Sequence, residues 1–127
     1  MPTRYVVISV RDPRRRKPKV RQQPGLLDML YLAFDDAEPS PNFELPSSIR
    51  LMTPGDAREI WDFVGRYRDR AGTIVVHCEQ GMSRSPAIAV AIARTFGLED
   101  AGFWREHQPN RFVVELVERG SRLVEEA

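Results

Sequence analysis

The chain has 127 residues, enough to bury one hydrophobic core without a metal or disulfide staple. Its 19 Lys and Arg residues nearly balance 18 Asp and Glu, and the net charge of +1 argues against a nucleic-acid protein and against an acidic tail. The one cysteine excludes an internal disulfide and favours a reducing compartment. The N-terminus is apolar and then basic, the reverse of a signal peptide, and no uncharged run is long enough to span a bilayer. We expect a single cytoplasmic domain over residues 1–127, monomeric and without membrane contact.

Two strands are predicted in the first third of the chain. Residues 5–10 (YVVISV) and 28–34 (DMLYLAF) are rich in β-branched and aromatic side chains, which favour strands. Residues 11–25 contain three prolines, and residues 11–21 hold seven basic side chains against one aspartate. We predict a basic surface loop there, able to steer anionic substrates by its charge. Residues 35–48, again with three prolines, predict a second loop.

A helix and a third strand follow. Thr53 as N-cap, Pro54 at the first helical position and Asp56 three residues after the cap predict the start of the helix. Residues 73–78 (TIVVHC) form an apolar run typical of a strand inside a parallel sheet. The core face of the helix is predicted from residues at helical spacing: Ala57, Ile60, Trp61, Val64 and Tyr67.

Three helices are predicted in the rest of the chain. Residues 85–97 place a proline in the first turn and Gly97 at the C-cap. Residues 99–107 predict a short helix, and residues 111–126 predict a last one whose middle is weakened by Gly120. The predicted core side chains of that last helix are Phe112, Leu116, Leu123 and Val124. This order of elements predicts an α/β fold in which helices flank a small, mainly parallel sheet of about four strands.

The chemistry of the chain is concentrated in HCEQGMSR, residues 77–84, between the third strand and the next helix. In an α/β sheet, ligands bind beyond the carboxyl ends of the strands. A loop that ends on a helix N-terminus can direct several backbone N–H groups at one point, and Gly81 permits the turn. Such a cradle stabilises Cys78 as thiolate, while Arg84 adds a planar fork for two phosphate oxygens and Ser85 adds a hydroxyl. We therefore predict a nucleophilic thiol rather than an inert one.

Cysteine, five residues, arginine and serine, preceded by histidine, resemble the signature of the cysteine-dependent protein tyrosine phosphatase superfamily. HCEQGMSRSP is most similar to the small dual-specificity phosphatases and their bacterial relatives. FDDAEPS supplies an upstream aspartate, and PNRFVVEL is similar to the proline-asparagine segment that opens the last helix of those enzymes. The three matches run from about residue 29 to residue 117 and imply a dual-specificity-phosphatase-like fold.

The resemblance implies a role for each matching residue. Cys78 attacks phosphorus and forms a phosphocysteine, and Arg84 holds the phosphate oxygens. An aspartate protonates the leaving oxygen and then activates water, and Ser85 helps to expel the sulfur. An extended chain turns the side chains of Asp35 and Asp36 in opposite directions, so only one of them can readily face the loop. The resemblance places the acid at the second position of the pair, which makes Asp36 the favoured acid and Asp35 the alternative. The implied phosphate-binding backbone comprises Glu79, Gln80, Gly81, Met82 and Ser83, and neither metal nor cofactor is expected.

Several polar or aromatic residues have a supporting or structural interpretation. We expect His77 to hydrogen-bond within the loop and so support the cysteine rather than transfer protons. Asn110 either contacts the phosphate loop or caps the last helix. His107 is expected at the surface, and Trp61 and Trp104 in the core.

The function expected is hydrolysis of phosphotyrosine in proteins, and also of phosphoserine or phosphothreonine if the cleft is shallow. The partner is then a phosphorylated protein. Alternatives are a phosphatase of a non-protein phosphomonoester, such as a phosphoinositide or an RNA 5′ phosphate, and a non-catalytic phosphate-binding module. A nucleic-acid binder has little support, because the basic segment contains no interleaved aromatic residues.

Overall fold

The computed structural model describes residues 3–18, 23–79 and 81–126. The helices and strands follow one another in the order that the sequence predicts. None of the helices within the described ranges is both long enough and apolar enough to cross a bilayer. The elements are β1 (Tyr5–Arg11), β2 (Leu26–Ala33), α1 (Pro54–Tyr67), β3 (Thr73–His77), α2 (Arg84–Thr95), α3 (Ala101–Glu106) and α4 (Arg111–Glu126).

The three strands form one parallel sheet in the order β2-β1-β3. Ser9 of β1 lies opposite Tyr31 of β2 on one side and opposite His77 of β3 on the other. The α/β fold with a small parallel sheet flanked by helices is therefore confirmed. The described residues form three strands rather than about four, because the long segment between β2 and α1 adds only the isolated bridge Ser40–Phe43.

The sheet has one face under the helices and one face under the basic segment. Val6, Ile8 and Val10 of β1 are buried on the helix side, where α2 lies against β3 and α4 packs on both α1 and α2. On the opposite face, the ammonium of Lys17 lies 4.9 Å from the centre of the Tyr31 ring. Residues 14–18 of the predicted basic loop are exposed, and Lys17 among them reaches over the sheet.

Helix α1 begins at the predicted cap. The Asp56 N–H donates to Thr53 Oγ1 at 3.1 Å, and the Thr53 N–H donates to Asp56 Oδ2 at 2.9 Å. This reciprocal pair satisfies two of the N–H groups that a helix start leaves open. Trp61 is buried, as predicted, and its Nε1 donates to the carbonyl of Val117 at 2.7 Å.

The predicted core face of α4 needs a correction. Val113, Val114 and Val117 are the buried side chains, while Phe112 and Leu116 are only partly buried at the edge of the core. Helix α4 packs on α1 and α2 at once. Its buried side chains therefore lie between the side of the helix that faces α1 and the side that faces α2. The side chains of the other two predicted core residues, Leu123 and Val124, lie outside the described part of the chain.

Gly120 has a packing role that the sequence does not indicate. A Cβ at this position would lie 3.1 Å from the Cβ of Ala57 and 3.1 Å from Cδ1 of Trp61. Such separations are closer than ordinary carbon contacts, so only glycine lets α4 approach α1 this closely.

We predict that Gly120→Leu lowers the free energy of unfolding by about 1–3 kcal/mol, because the added side chain overpacks the contact between α1 and α4. The matched control is Gly65→Leu on α1, where an added Cβ meets no atom within 4 Å. That change should be neutral or stabilising by up to about 1 kcal/mol, since leucine is the better helix former. Urea unfolding of both variants measures the difference, and equal effects would contradict the proposed packing role.

Candidate active site

The candidate site lies at the carboxyl edge of the sheet, where the chain leaves each of the three parallel strands. Asp12 follows β1, Asp35 and Asp36 follow β2 closely, and Cys78 follows β3 directly. Parallel pairing brings these three exits together. The loop after β3 leads into α2, which begins at Arg84.

The Cys78 thiol is enclosed by its own loop. The Gly81 N–H donates to Cys78 Sγ at 3.2 Å, and Gly81 has a φ of +67°, which a residue with a Cβ rarely adopts. Ser85 Oγ also lies 3.2 Å from Sγ and is buried in the first turn of α2. The Gly81 N–H of the loop and the Ser85 hydroxyl of α2 therefore both lie within hydrogen-bonding distance of the sulfur.

These contacts set the acidity of the thiol. Burial by itself raises the pKa of Cys78, since it disfavours the charged form. Hydrogen bonds from the Ser85 hydroxyl and from the backbone N–H groups of Ser85 and Gly81, together with the charge of Arg84, outweigh this effect. The net result is a pKa below that of a free cysteine, which raises the fraction of nucleophilic thiolate at a given pH.

The Arg84 guanidinium is held from one side. It is 6% exposed, and its Nη1 donates to Asp12 Oδ1 at 2.9 Å and to the carbonyl of Phe34 at 2.8 Å. Within the described residues, Nε and Nη2 have no hydrogen-bond partner. One edge of the fork is thus anchored, and the other is available to an anion.

The two candidate acids occupy different environments. Asp35 is buried and forms an ion pair with Arg14, and it also accepts the Arg50 N–H at 2.8 Å. The hydrogen bond from Arg14 is the main cause that lowers the pKa of Asp35, and it outweighs the effect of burial. Asp36 is exposed, and its Oδ1 accepts from Ser83 Oγ at 2.8 Å and from Asn110 Nδ2 at 2.9 Å.

Asn110 fills both of the roles that the sequence leaves open. Its Oδ1 accepts the Val113 N–H at 3.1 Å and so caps α4. Its own N–H donates to the Ser83 carbonyl at 3.1 Å, while its amide also holds Asp36 and the carbonyl of Ala37. One buried residue therefore joins three segments: its side chain binds the loop after β2 and caps the last helix, and its backbone N–H binds the cysteine loop.

Comparison with solved structures finds a similar fold. The human tyrosine phosphatase-like serine/threonine/tyrosine-interacting protein matches over 98% of this chain and 80% of its own, with a TM-score of 0.58 and 20% sequence identity. The chain has a phosphatase-like fold. No protein-family model matches it, and a search of curated proteins finds no match.

The remaining predicted residues in and around the cysteine loop differ in their surroundings. Glu79 pairs with Arg15 at 3.5 Å, and Met82 is half exposed. His77 lines clefts on both sides of the loop, but its ring makes none of the predicted hydrogen bonds with the described residues. His107 lines one of these clefts as a half-buried residue, so it is not a plain surface histidine. Gln80 lies outside the described residues.

Two contributors to the site are missing from the sequence-based prediction. Asp12 binds Arg84, and Arg14 binds Asp35, yet both residues belong to the segment predicted to be a surface loop. A signal for Asp12 exists, because a residue directly after a strand of a parallel sheet lies at the ligand-binding edge. Nothing in the sequence indicates which carboxylate each arginine would meet.

We predict that iodoacetamide alkylates Cys78 with a rate that rises with pH and reaches half its plateau below the midpoint of a free cysteine. The thiolate is the reactive form, and the loop lowers the pKa of the thiol. Ser85→Ala removes one donor and should move the midpoint upward. Ser121→Ala removes a hydroxyl that donates to Glu118 instead, and should leave the profile unchanged. A Ser85→Ala profile identical to that of the parent would contradict the assignment.

Proposed function

We propose that the protein is a metal-independent phosphomonoester hydrolase that acts through a phosphocysteine at Cys78. One observation carries the proposal: a thiol of lowered pKa lies in a loop of N–H donors that ends on a half-anchored arginine. A dianionic phosphate fits this arrangement, because the free edge of Arg84 and the loop N–H groups match its non-bridging oxygens.

In the first step, the Cys78 thiolate attacks phosphorus in line with the leaving oxygen. The sulfur–phosphorus bond forms as the phosphorus–oxygen bond breaks, and the leaving oxygen takes a proton from the carboxylic acid of Asp36. Asp36 is the better candidate because it is exposed and bonded to Ser83 of the loop. Asp35 is committed to Arg14 as an ionised partner, and its lowered pKa opposes the protonated form that an acid needs.

In the second step, water attacks phosphorus and gives its proton to the Asp36 carboxylate, and the sulfur–phosphorus bond breaks. The Ser85 hydroxyl, 3.2 Å from the sulfur, donates to the departing thiolate. Arg84 and the loop N–H groups hold the same three oxygens in both steps, which stabilises the charge of each transition state.

We propose phosphotyrosine in proteins as the substrate, with phosphoserine and phosphothreonine also admitted. Support comes from Met82 of the cysteine loop, which is 52% exposed, so this side of the loop is accessible to substrate. A reduced thiol is required throughout, so we place the reaction in the reducing cytoplasm.

A second candidate is a phosphate-reading module without turnover. The structural neighbour is named both phosphatase-like and an interacting protein, and this name favours the alternative. The two candidates share the anion cradle and differ only in the use of Cys78.

We predict that the protein hydrolyses a small aryl phosphate in the presence of a chelator and that Cys78→Ser abolishes this activity. A serine hydroxyl is far less ionised than the thiol, so the nucleophile is lost while the cradle remains. The Cys78→Ser protein should still bind a phosphotyrosine peptide, which fluorescence anisotropy measures. Binding without any hydrolysis by the parent protein would favour the reading module instead.

We predict that Asp36→Asn lowers kcat by about 10²-fold or more, and most for aryl phosphates whose leaving phenol is least acidic. Such phenols need the proton most, whereas a merely structural defect would slow all substrates alike. Asp35→Asn, at the adjacent residue, is the matched control and should leave the dependence of kcat on the leaving group unchanged. Turnover of a series of substituted phenyl phosphates gives this dependence, and a uniform loss in Asp36→Asn would remove it as the acid.

A further inference from the structure

A cleft of about 280 Å³ opens beside Cys78, the proposed nucleophile. Its walls are the ends of β1 and β3 and the first part of the basic segment, so Cys78 shares one concave surface with three arginines. The arginines are Arg11, Arg15 and Arg16, and Glu79 is the acidic residue in the lining. The formal net charge of the lining is therefore +2, from three positive charges and one negative charge.

The charges in this region are not equally available. Arg14 is committed to Asp35, and Arg15 lies 3.5 Å from Glu79. Arg11 uses only its Nε, which donates to the backbone carbonyl of Arg15 at 3.1 Å. Arg16 is exposed and makes no ion pair with the described residues. Two guanidinium groups therefore face the cleft without a carboxylate partner in the described part of the chain.

We propose that this cleft is a second anion subsite, which selects phosphoprotein segments that carry another anionic side chain next to the hydrolysed phosphate. The proposal rests on the proposed hydrolase function and names the substrate class. The anion is a carboxylate or a second phosphate, since a guanidinium fork binds both with paired hydrogen bonds. Pro18, an exposed residue of the lining, gives the aliphatic stem of a glutamate an apolar contact.

The charge balance favours a protein segment over a polyphosphate ligand. A lining of +2 is neutralised by one phosphate dianion, or partly by one carboxylate. Glu79 at the cysteine loop and Asp12 behind it repel further negative charge. These carboxylates repel a headgroup with several phosphates more strongly than a single acidic side chain, because the repulsion grows with the charge of the ligand.

A local subsite differs from general steering by charge. Steering acts through the summed field of the molecule, so exposed arginines outside the cleft also contribute to it. A subsite depends on the residues that line it. The chain offers a matched control in Arg58 of α1 and Arg119 of α4, which are both exposed and lie outside the cleft.

The test compares phosphotyrosine peptides that differ at one neighbouring position, which is Gln, Glu or phosphoserine. The readout is the ratio of kcat/KM for the acidic peptide to kcat/KM for the Gln peptide. We expect a ratio of about five to ten for the parent protein, the size of two exposed charge contacts. The ratio should fall to about one in the Arg11→Gln/Arg16→Gln variant and stay high in Arg58→Gln/Arg119→Gln, which has the same net charge.

Each outcome bears on one proposal. A parent ratio near one, a ratio kept by Arg11→Gln/Arg16→Gln, or an equal loss in the control variant overturns the subsite. A higher kcat/KM for an inositol polyphosphate or a 5′-phosphorylated RNA than for the acidic peptides also overturns it. If the parent hydrolyses not even a small aryl phosphate, the hydrolase function fails. In that case fluorescence anisotropy measures the affinity for the acidic peptide and for the Gln peptide. A ratio of the two affinities near one overturns the subsite as well.

Discussion

The parallel pairing of β1 with both β2 and β3 is the constraint on which the candidate site depends. Parallel strands all end at the same edge of a sheet, so the residues that follow them meet there even when they are distant in the chain. Asp12 and Arg84 are 72 residues apart and still form a 2.9 Å contact. The cysteine loop therefore needs no long insertion to gather its partners, because the sheet delivers one carboxylate from β1 and two from β2.

Burying the charge of Arg84 is costly unless it is paired, and the surrounding carboxylates contribute unequally to that pairing. Asp12 neutralises one edge of Arg84, and Asp35 is neutralised in turn by Arg14. Unpaired buried charges are costly, so these two ion pairs hold the Arg84 guanidinium in one position. Asp36 forms no ion pair with the described residues, and its side chain accepts hydrogen bonds from two neutral groups, Ser83 and Asn110. The division explains how two adjacent aspartates acquire different chemistry.

Asn110 links the loops of the candidate site to one another and to the last helix. Through a single buried side chain and its backbone N–H, α4 is linked to the loop after β2 and to the cysteine loop. Buried polar networks of this kind are rigid when every member is satisfied, and no fully buried side-chain nitrogen or oxygen in the described residues lacks a partner. The close approach of α4 to α1 at Gly120 then ties the geometry of the site to the packing of the core.

The sequence alone determined the features that are carried by neighbouring residues. The strand, loop and helix around Cys78, its spacing to Arg84, and the cap formed by Thr53 and Asp56 are local, so composition and spacing are enough to predict them. The tertiary structure decided which aspartate is buried, which carboxylate holds Arg84, and which face of α4 enters the core. Those outcomes depend on contacts between residues far apart in the chain, which only the register of the sheet and the packing of the helices establish.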